Sequence, residues 1–97
     1  MGYLVYRVYA STFNTTAGQD VISTMKSTLG LSSIVARRVH IVNSSAATII
    51  LNNNNIEIPL YLCTDGNYRF ETNLNEVQIN SIKVKDVETG IYVMIIY

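Results

Sequence analysis

Residues 56–72, IEIPLYLCTDGNYRFET, decide the fold. In the first half Ile56, Ile58, Leu60 and Leu62 alternate with Glu57, Pro59, Tyr61 and Cys63, which is the period of a β-strand. In the second half Tyr68 and Phe70 alternate with Arg69 and Glu71. Between the halves sits Asp65-Gly66, a pair that tolerates the backbone twist of a two-residue hairpin turn. The stretch therefore predicts a β-hairpin, with Tyr68 and Phe70 turned inward. Pro59 has no N–H to give to a ladder, so one side of its strand is expected to be unpaired.

The same pattern extends in both directions. Upstream, residues 34–43 (IVARRVHIVN) and 47–51 (ATIIL) read as strands. The four asparagines at 52–55 read as a turn, because Asn accepts left-handed backbone angles and bonds its own main chain. Downstream, residues 73–76 form another turn. Residues 77–87 begin with Val77 and Ile79 in one phase and end with Ile82 and Val84 in the other, which predicts a bulge or bend at Asn80-Ser81. Glu88-Thr89-Gly90 is expected to turn the chain into a last strand, residues 91–97, IYVMIIY.

The N-terminal third is more mixed. Residues 3–9, YLVYRVY, read as a strand, with Leu4, Tyr6 and Val8 on one face and Tyr3, Val5, Arg7 and Tyr9 on the other. Residues 10–16 read as a polar loop. Thr16 and Gln19 have the spacing of a capping box. Ala17, Val21, Met25 and Leu29, with Ile22 beside them, mark one face of a helix over residues 17–29. Gly30 is placed to end it with a left-handed cap. The fold class expected is mainly β: a small antiparallel β-sandwich or barrel with one short helix, in a single domain over residues 1–97.

Composition narrows the function classes. The chain has 97 residues, zero formal net charge and 14% charged residues, against roughly 25% in ordinary soluble domains. Its seven Lys and Arg are scattered from Arg7 to Lys85, which argues against nucleic acid as a partner. Twelve Ile, ten Val and seven Leu argue against disorder. The single Cys63 allows no internal disulfide, and with only His40 to help it predicts no zinc site. No cofactor motif is present, the five glycines being too dispersed for a phosphate loop. The start MGYLVYRVY lacks the features of a signal peptide, and no apolar run approaches the ~20 residues that cross a bilayer.

Catalytic groupings are also few. Cys63 and His40 are the first pair to weigh as nucleophile and base. Cys63 closes an apolar strand, where an inert buried thiol is the plainer expectation, and His40 stands beside Arg37 and Arg38 like a solvent-facing residue. Most carboxylates fall in or next to turns. The sequence thus points to a non-enzymatic protein. Asn14 and Asn43 open glycosylation sequons, but about two are expected by chance in a chain so rich in Asn, Ser and Thr.

The last strand stands apart. Ile91, Val93, Ile95 and Tyr97 lie on one face and Tyr92, Met94 and Ile96 on the other, and neither face is polar. Either it is a central strand held between a second sheet and the helix, or one face is covered by another copy or another protein. Tyr92, Met94 and Ile96 are the interface candidates, with Tyr3 and Tyr9 of the first strand beside them. On the covered-face reading, Met94→Lys or Ile96→Lys dissociates an oligomer. On the core reading it unfolds the chain.

A neutral chain rich in Asn, Thr, Ser, Ile and Tyr, built of hairpins and carrying IEIPLY, NSIKVKDVETG and IYVMIIY, resembles small virion proteins of tailed bacteriophages. Capsid decoration, head-fibre and neck or tail accessory proteins are of this kind. The resemblance implies a structural role in a virion, with self-association or docking on other virion proteins and no active site. The alternative is a small glycan- or ligand-binding β-module. It would use tyrosines such as Tyr61, Tyr92 and Tyr97, with Asn52 to Asn55 and Asn73 to Asn75 as a hydrogen-bonding rim.

Overall fold

The computed structural model describes residues 5–97. Nine strands and one helix follow in the order β1 (Val8–Thr15), β2 (Gln19–Asp20), α1 (Val21–Leu29), β3 (Arg38–Asn43), β4 (Thr48–Leu51), β5 (Ile58–Pro59), β6 (Tyr61–Leu62), β7 (Tyr68–Glu71), β8 (Ile82–Val84) and β9 (Glu88–Ile96). They form two antiparallel sheets, a five-stranded one in the order β1-β9-β3-β7-β6 and a four-stranded one in the order β2-β8-β4-β5. The sheets do not close into a barrel, so of the two expected architectures the sandwich is the one formed.

One core lies between the layers. Ile91, Val93 and Ile95 of β9, an interior strand of the larger sheet, supply it, and Val39 and Ile41 of the central strand β3 lie beside them. Ile49, Ile82 and Val84 supply it from the smaller sheet. All of these are fully excluded from solvent. Alternation accounts for the choice, since every second strand residue points the same way.

The helix is shorter than expected and is capped by a different residue. It begins at Val21, because Gln19 and Asp20 extend alongside Val84 and Lys83 of β8. Asp20 is the N-cap, and its Oδ1 accepts from the Ile22 N–H at 3.0 Å. Only half of the Thr16–Gln19 box forms: Gln19 Oε1 accepts from the Thr16 N–H at 3.1 Å. The C-terminus follows the expectation. Gly30 has φ +68°, its N–H reaches Ser27 O, and the Leu31 N–H reaches Lys26 O, the paired bonds of a Schellman cap. Val21, Ile22 and Met25 are buried.

Four other expectations are corrected. Residues 10–15 are strand rather than loop, since β1 runs from Val8 to Thr15 along the whole of β9. The tertiary ladder overrides the weak local signal of Ser, Thr and Asn. Glu88, Thr89 and Gly90 belong to β9, and Glu88 and Thr89 pair with Thr15 and Asn14 at the end of β1 across a bulge. Gly90, with φ +75°, is the extra residue there, because Phe13 faces Ile91 and Asn14 faces Thr89.

Residues 56–63 do not make one strand. The chain crosses from the smaller sheet to the larger at Leu60, which alone of the four apolar positions is buried. Ile56 and Leu62 are exposed and Ile58 is half-buried. The Asp65-Gly66 hairpin does form, but its loop has three residues: the Cys63 N–H donates to Asn67 O at 2.8 Å, enclosing Thr64, Asp65 and Gly66. Gly66, with φ +86°, takes the left-handed place that such loops require.

Other features stand where expected. Asn52 and Asn53 both have φ +54°. Pro59 lies on the edge strand β5. The chain bends at Asn80, which brings both Ile79 and Ile82 into the core.

Candidate functional site

The residues singled out in the last strand separate cleanly by face. Ile91, Val93 and Ile95 turn to the core, and Tyr92, Met94 and Ile96 turn to the outer face of the five-stranded sheet. Neighbouring strands extend that face. On one side Thr12, Ala10 and Val8 of β1 lie opposite Tyr92, Met94 and Ile96, and on the other Val42, His40 and Arg38 of β3 do the same. The helix and the smaller sheet both pack on the opposite face, through the common core. Neither the helix nor the other sheet forms a second layer on this one, where Met94 and Ile96 are half-buried. Tyr92 is 37% exposed and Val8 65%.

The face has an apolar half and a polar half. Val8, Ala10, Met94 and Ile96 form the apolar half at the β1–β9 end. Toward β7 and β6 the face becomes charged, with Arg38, His40, Glu71, Arg69 and Tyr61. His40 Nε2 lies 3.1 Å from Glu71 Oε1, an ion pair whenever the imidazole carries its proton, although the N–H is out of line for a hydrogen bond. The His40 ring meets the Tyr92 ring edge-on, with centroids 6.4 Å apart. Arg38 Nε is buried without a hydrogen-bond partner among the described residues.

Three ionisations at the charged end of this face are displaced. Asp65 accepts two bonds from Arg69, and the guanidinium together with the Asn67 N–H holds its carboxyl well below the usual carboxylate range. Arg69 is held correspondingly above its ordinary value by Asp65 and Cys63. Partial burial, then the Glu71 carboxylate, raise the Tyr61 phenol.

Tyr9 is not on the outer face. It lies opposite Ile95 and packs against the core, as does Tyr97. Tyr3 lies outside the described residues. What the sequence missed is Val8, Ala10, Thr12 and Val42 as members of the same surface. The alternation of β1 carries Ala10 and Thr12 on from Val8, but the Ser-Thr-Asn run hides it by its loop-like composition.

Cys63 and His40 are engaged with different partners. Cys63 is half-buried at the base of the β6–β7 loop, with Sγ 3.9 Å from Tyr61 O. His40 is engaged with Glu71 and Tyr92. Several asparagines of the proposed rim are spent on the chain itself. Asn52 Nδ2 donates to Gln78 O, and Asn52 Oδ1 accepts from the Asn80 N–H. Asn54 Oδ1 accepts from the Ile56 N–H, and Asn75 Nδ2 donates to the Tyr6 hydroxyl at 2.7 Å. Among the described residues no group of three His, Cys, Asp or Glu has metal-binding geometry, and no helix is long and apolar enough to cross a membrane. No family model, curated protein or solved structure matches the chain.

Proposed function

We propose that the chain is a non-enzymatic structural protein that associates through the outer face of its five-stranded sheet, with copies of itself or with neighbouring proteins of a larger assembly. A tailed-phage virion is the assembly that its composition resembles. The observation that carries the reading is the Tyr92, Met94 and Ile96 row on the interior strand β9, flanked by Val8 and Ala10 of the edge strand. An antiparallel sheet with one free face normally presents polar side chains there. A contiguous apolar patch rimmed by polar residues is what a protein interface presents before it is covered.

The glycan-binding alternative has less to stand on. Tyr61 and Tyr92 do share the face, but Asn52, Asn54 and Asn75 already spend polar atoms on bonds to other residues of the chain.

Sedimentation of the wild type and of Met94→Lys tests the proposal. The expected result is a concentration-dependent oligomer that Met94→Lys dissociates while circular dichroism stays unchanged. A wild type that remains monomeric at about 1 mM and gains no partner from assembled virions would overturn it.

A further inference from the structure

The edges of the two sheets are not alike. β2 and β5, which close the smaller sheet, have two residues each and carry Asp20 and Pro59. β6, at one edge of the larger sheet, also has two residues. Short strands, charge and proline are the usual ways of keeping an edge from pairing further. β1, at the other edge, has eight residues and contains neither charge nor proline.

The main-chain groups that β1 leaves open can be identified. Arg7 and Tyr97 exchange both of their backbone bonds at 2.8 Å. In an antiparallel ladder such pairs alternate, so Tyr9, Ser11 and Phe13 bond to Ile95, Val93 and Ile91. The N–H and C=O groups of Val8, Ala10 and Thr12 therefore point away from β9. Among the described residues they have no partner, and all three residues are exposed. The bulge at Asn14 ends this open segment on one side, and Arg7 flanks it on the other.

We infer that β1 pairs antiparallel with β1 of a second copy, about a two-fold axis at Ala10, to make one continuous sheet. This rests on the reading of the chain as an associating module and names one contact of that association. The occupant follows from symmetry. The open residues are spaced evenly about Ala10, so Val8 meets Thr12 of the second copy and Ala10 meets Ala10. One patch then satisfies itself, as an isologous interface requires. All open N–H groups find open C=O groups in that register. The side chains brought together are small and uncharged, so no like charges meet across the seam. An unrelated strand would find no charge on β1 to select it. The pairing also sets the two outer faces side by side and joins the Val8, Ala10 and Met94 patches into one surface.

Amide exchange read residue by residue tests this pairing directly. As wild-type concentration rises from about 10 µM to about 1 mM, the Val8, Ala10 and Thr12 amides are expected to slow together with dimer formation. Ala10→Pro deletes an N–H on the open edge and leaves the β1–β9 ladder intact, because proline is tolerated where the N–H faces solvent. It should weaken the dimer at least about tenfold, by removing the central bonds. Thr12→Lys, an exposed change that puts charge on the edge, should do the same with unchanged circular dichroism. An oligomer that forms while these three amides stay unprotected, and that Met94→Lys but not Ala10→Pro dissociates, overturns the edge pairing and leaves the outer-face reading standing. A monomer at all concentrations overturns the edge pairing as well.

Discussion

The carboxylate of Asp65 grips the guanidinium of Arg69 in a two-point bond across the β6–β7 loop, with Oδ1–Nη1 at 2.9 Å and Oδ2–Nη2 at 2.7 Å. Asp65 Oδ1 also accepts from the Asn67 N–H at 3.0 Å, so the carboxylate organises the turn as well as pairing the charge. The two-point pairing needs the ionised acid.

Acid should therefore reveal this pair. The folded-state pKa of Asp65 lies below its unfolded value of about 3.9. A carboxyl shifted this way contributes stability that is full above the unfolded value and is lost as pH falls through the folded one. Carbon-detected titration should find Asp65 still ionised at pH values where an ordinary carboxylate is protonated. Asp65→Asn should remove that share of the acid sensitivity. The pair is exposed, so its effect on global stability is small. An Asp65 that titrates near 3.9 would refute the coupling.

Ile95 and Ile96 are neighbours in β9 on opposite faces of the sheet. Ile95 is fully buried, so Ile95→Ala leaves a cavity and should cost about 2–5 kcal/mol. Ile96 is half-buried on the uncovered face, so in the monomer Ile96→Ala should cost about 1 kcal/mol or less. Urea denaturation at low concentration measures both. Equal losses would mean that the outer face is packed within one chain, and the case for a covered surface would fall.

How far these features can be read from the chain alone depends on what causes each. Asn52 and Asn53 announce their turn because tolerance of a positive φ belongs to the residue itself. Pro59 announces an edge for the same kind of reason, the missing donor. Ser11, Thr12 and Asn14 announce nothing, because β9 supplies their ladder from far along the chain. Ile56 and Leu62 mislead: they alternate with Leu60, yet the sheet crossing at Leu60 leaves them outside. Tyr92, Met94 and Ile96 fall on one side of β9 by alternation alone. That theirs is the uncovered side depends on which layer the helix and β8 pack against, and no local pattern carries that. Tyr9 shows the same limit, since its face was legible but the side of the sheet was not.

Asp20 gathers more of the structure than a helix cap usually does. Its Oδ1 accepts from the Ile22 N–H at 3.0 Å and from the Ile82 N–H at 3.1 Å, and its Oδ2 accepts from Ser81 Oγ at 3.1 Å. One side chain thus joins the start of α1 to β8. Asp20→Ala should lose the cap, worth about 0.5–2 kcal/mol, and also strip the Ile82 N–H of its partner for about 1–3 kcal/mol more. Asp20→Asn keeps an oxygen for both N–H groups and should recover much of the loss. Equal destabilisation by the two variants in urea would show that charge, rather than the shared acceptor, is what matters.

Gly90 permits the β1–β9 bulge. Its N–H donates to Asn14 Oδ1 at 3.0 Å and its φ is +75°, where an L-residue is strained. Space is not the obstacle, since an added Cβ would meet only Thr12 Cγ2, at an ordinary 3.8 Å. Gly90→Ala should therefore cost about 1–2 kcal/mol through the backbone alone. Gly90→Asn should cost less, because Asn adopts this region more readily. The bulge also sets where the open part of β1 stops. If Gly90→Ala removes it by shifting the register, the Asn14 and Thr15 ladder amides should change their exchange rates while those of Tyr9 and Ser11 do not. An alanine variant as stable as the wild type, with unaltered exchange at Asn14, would mean that the positive φ is not needed to hold the bulge.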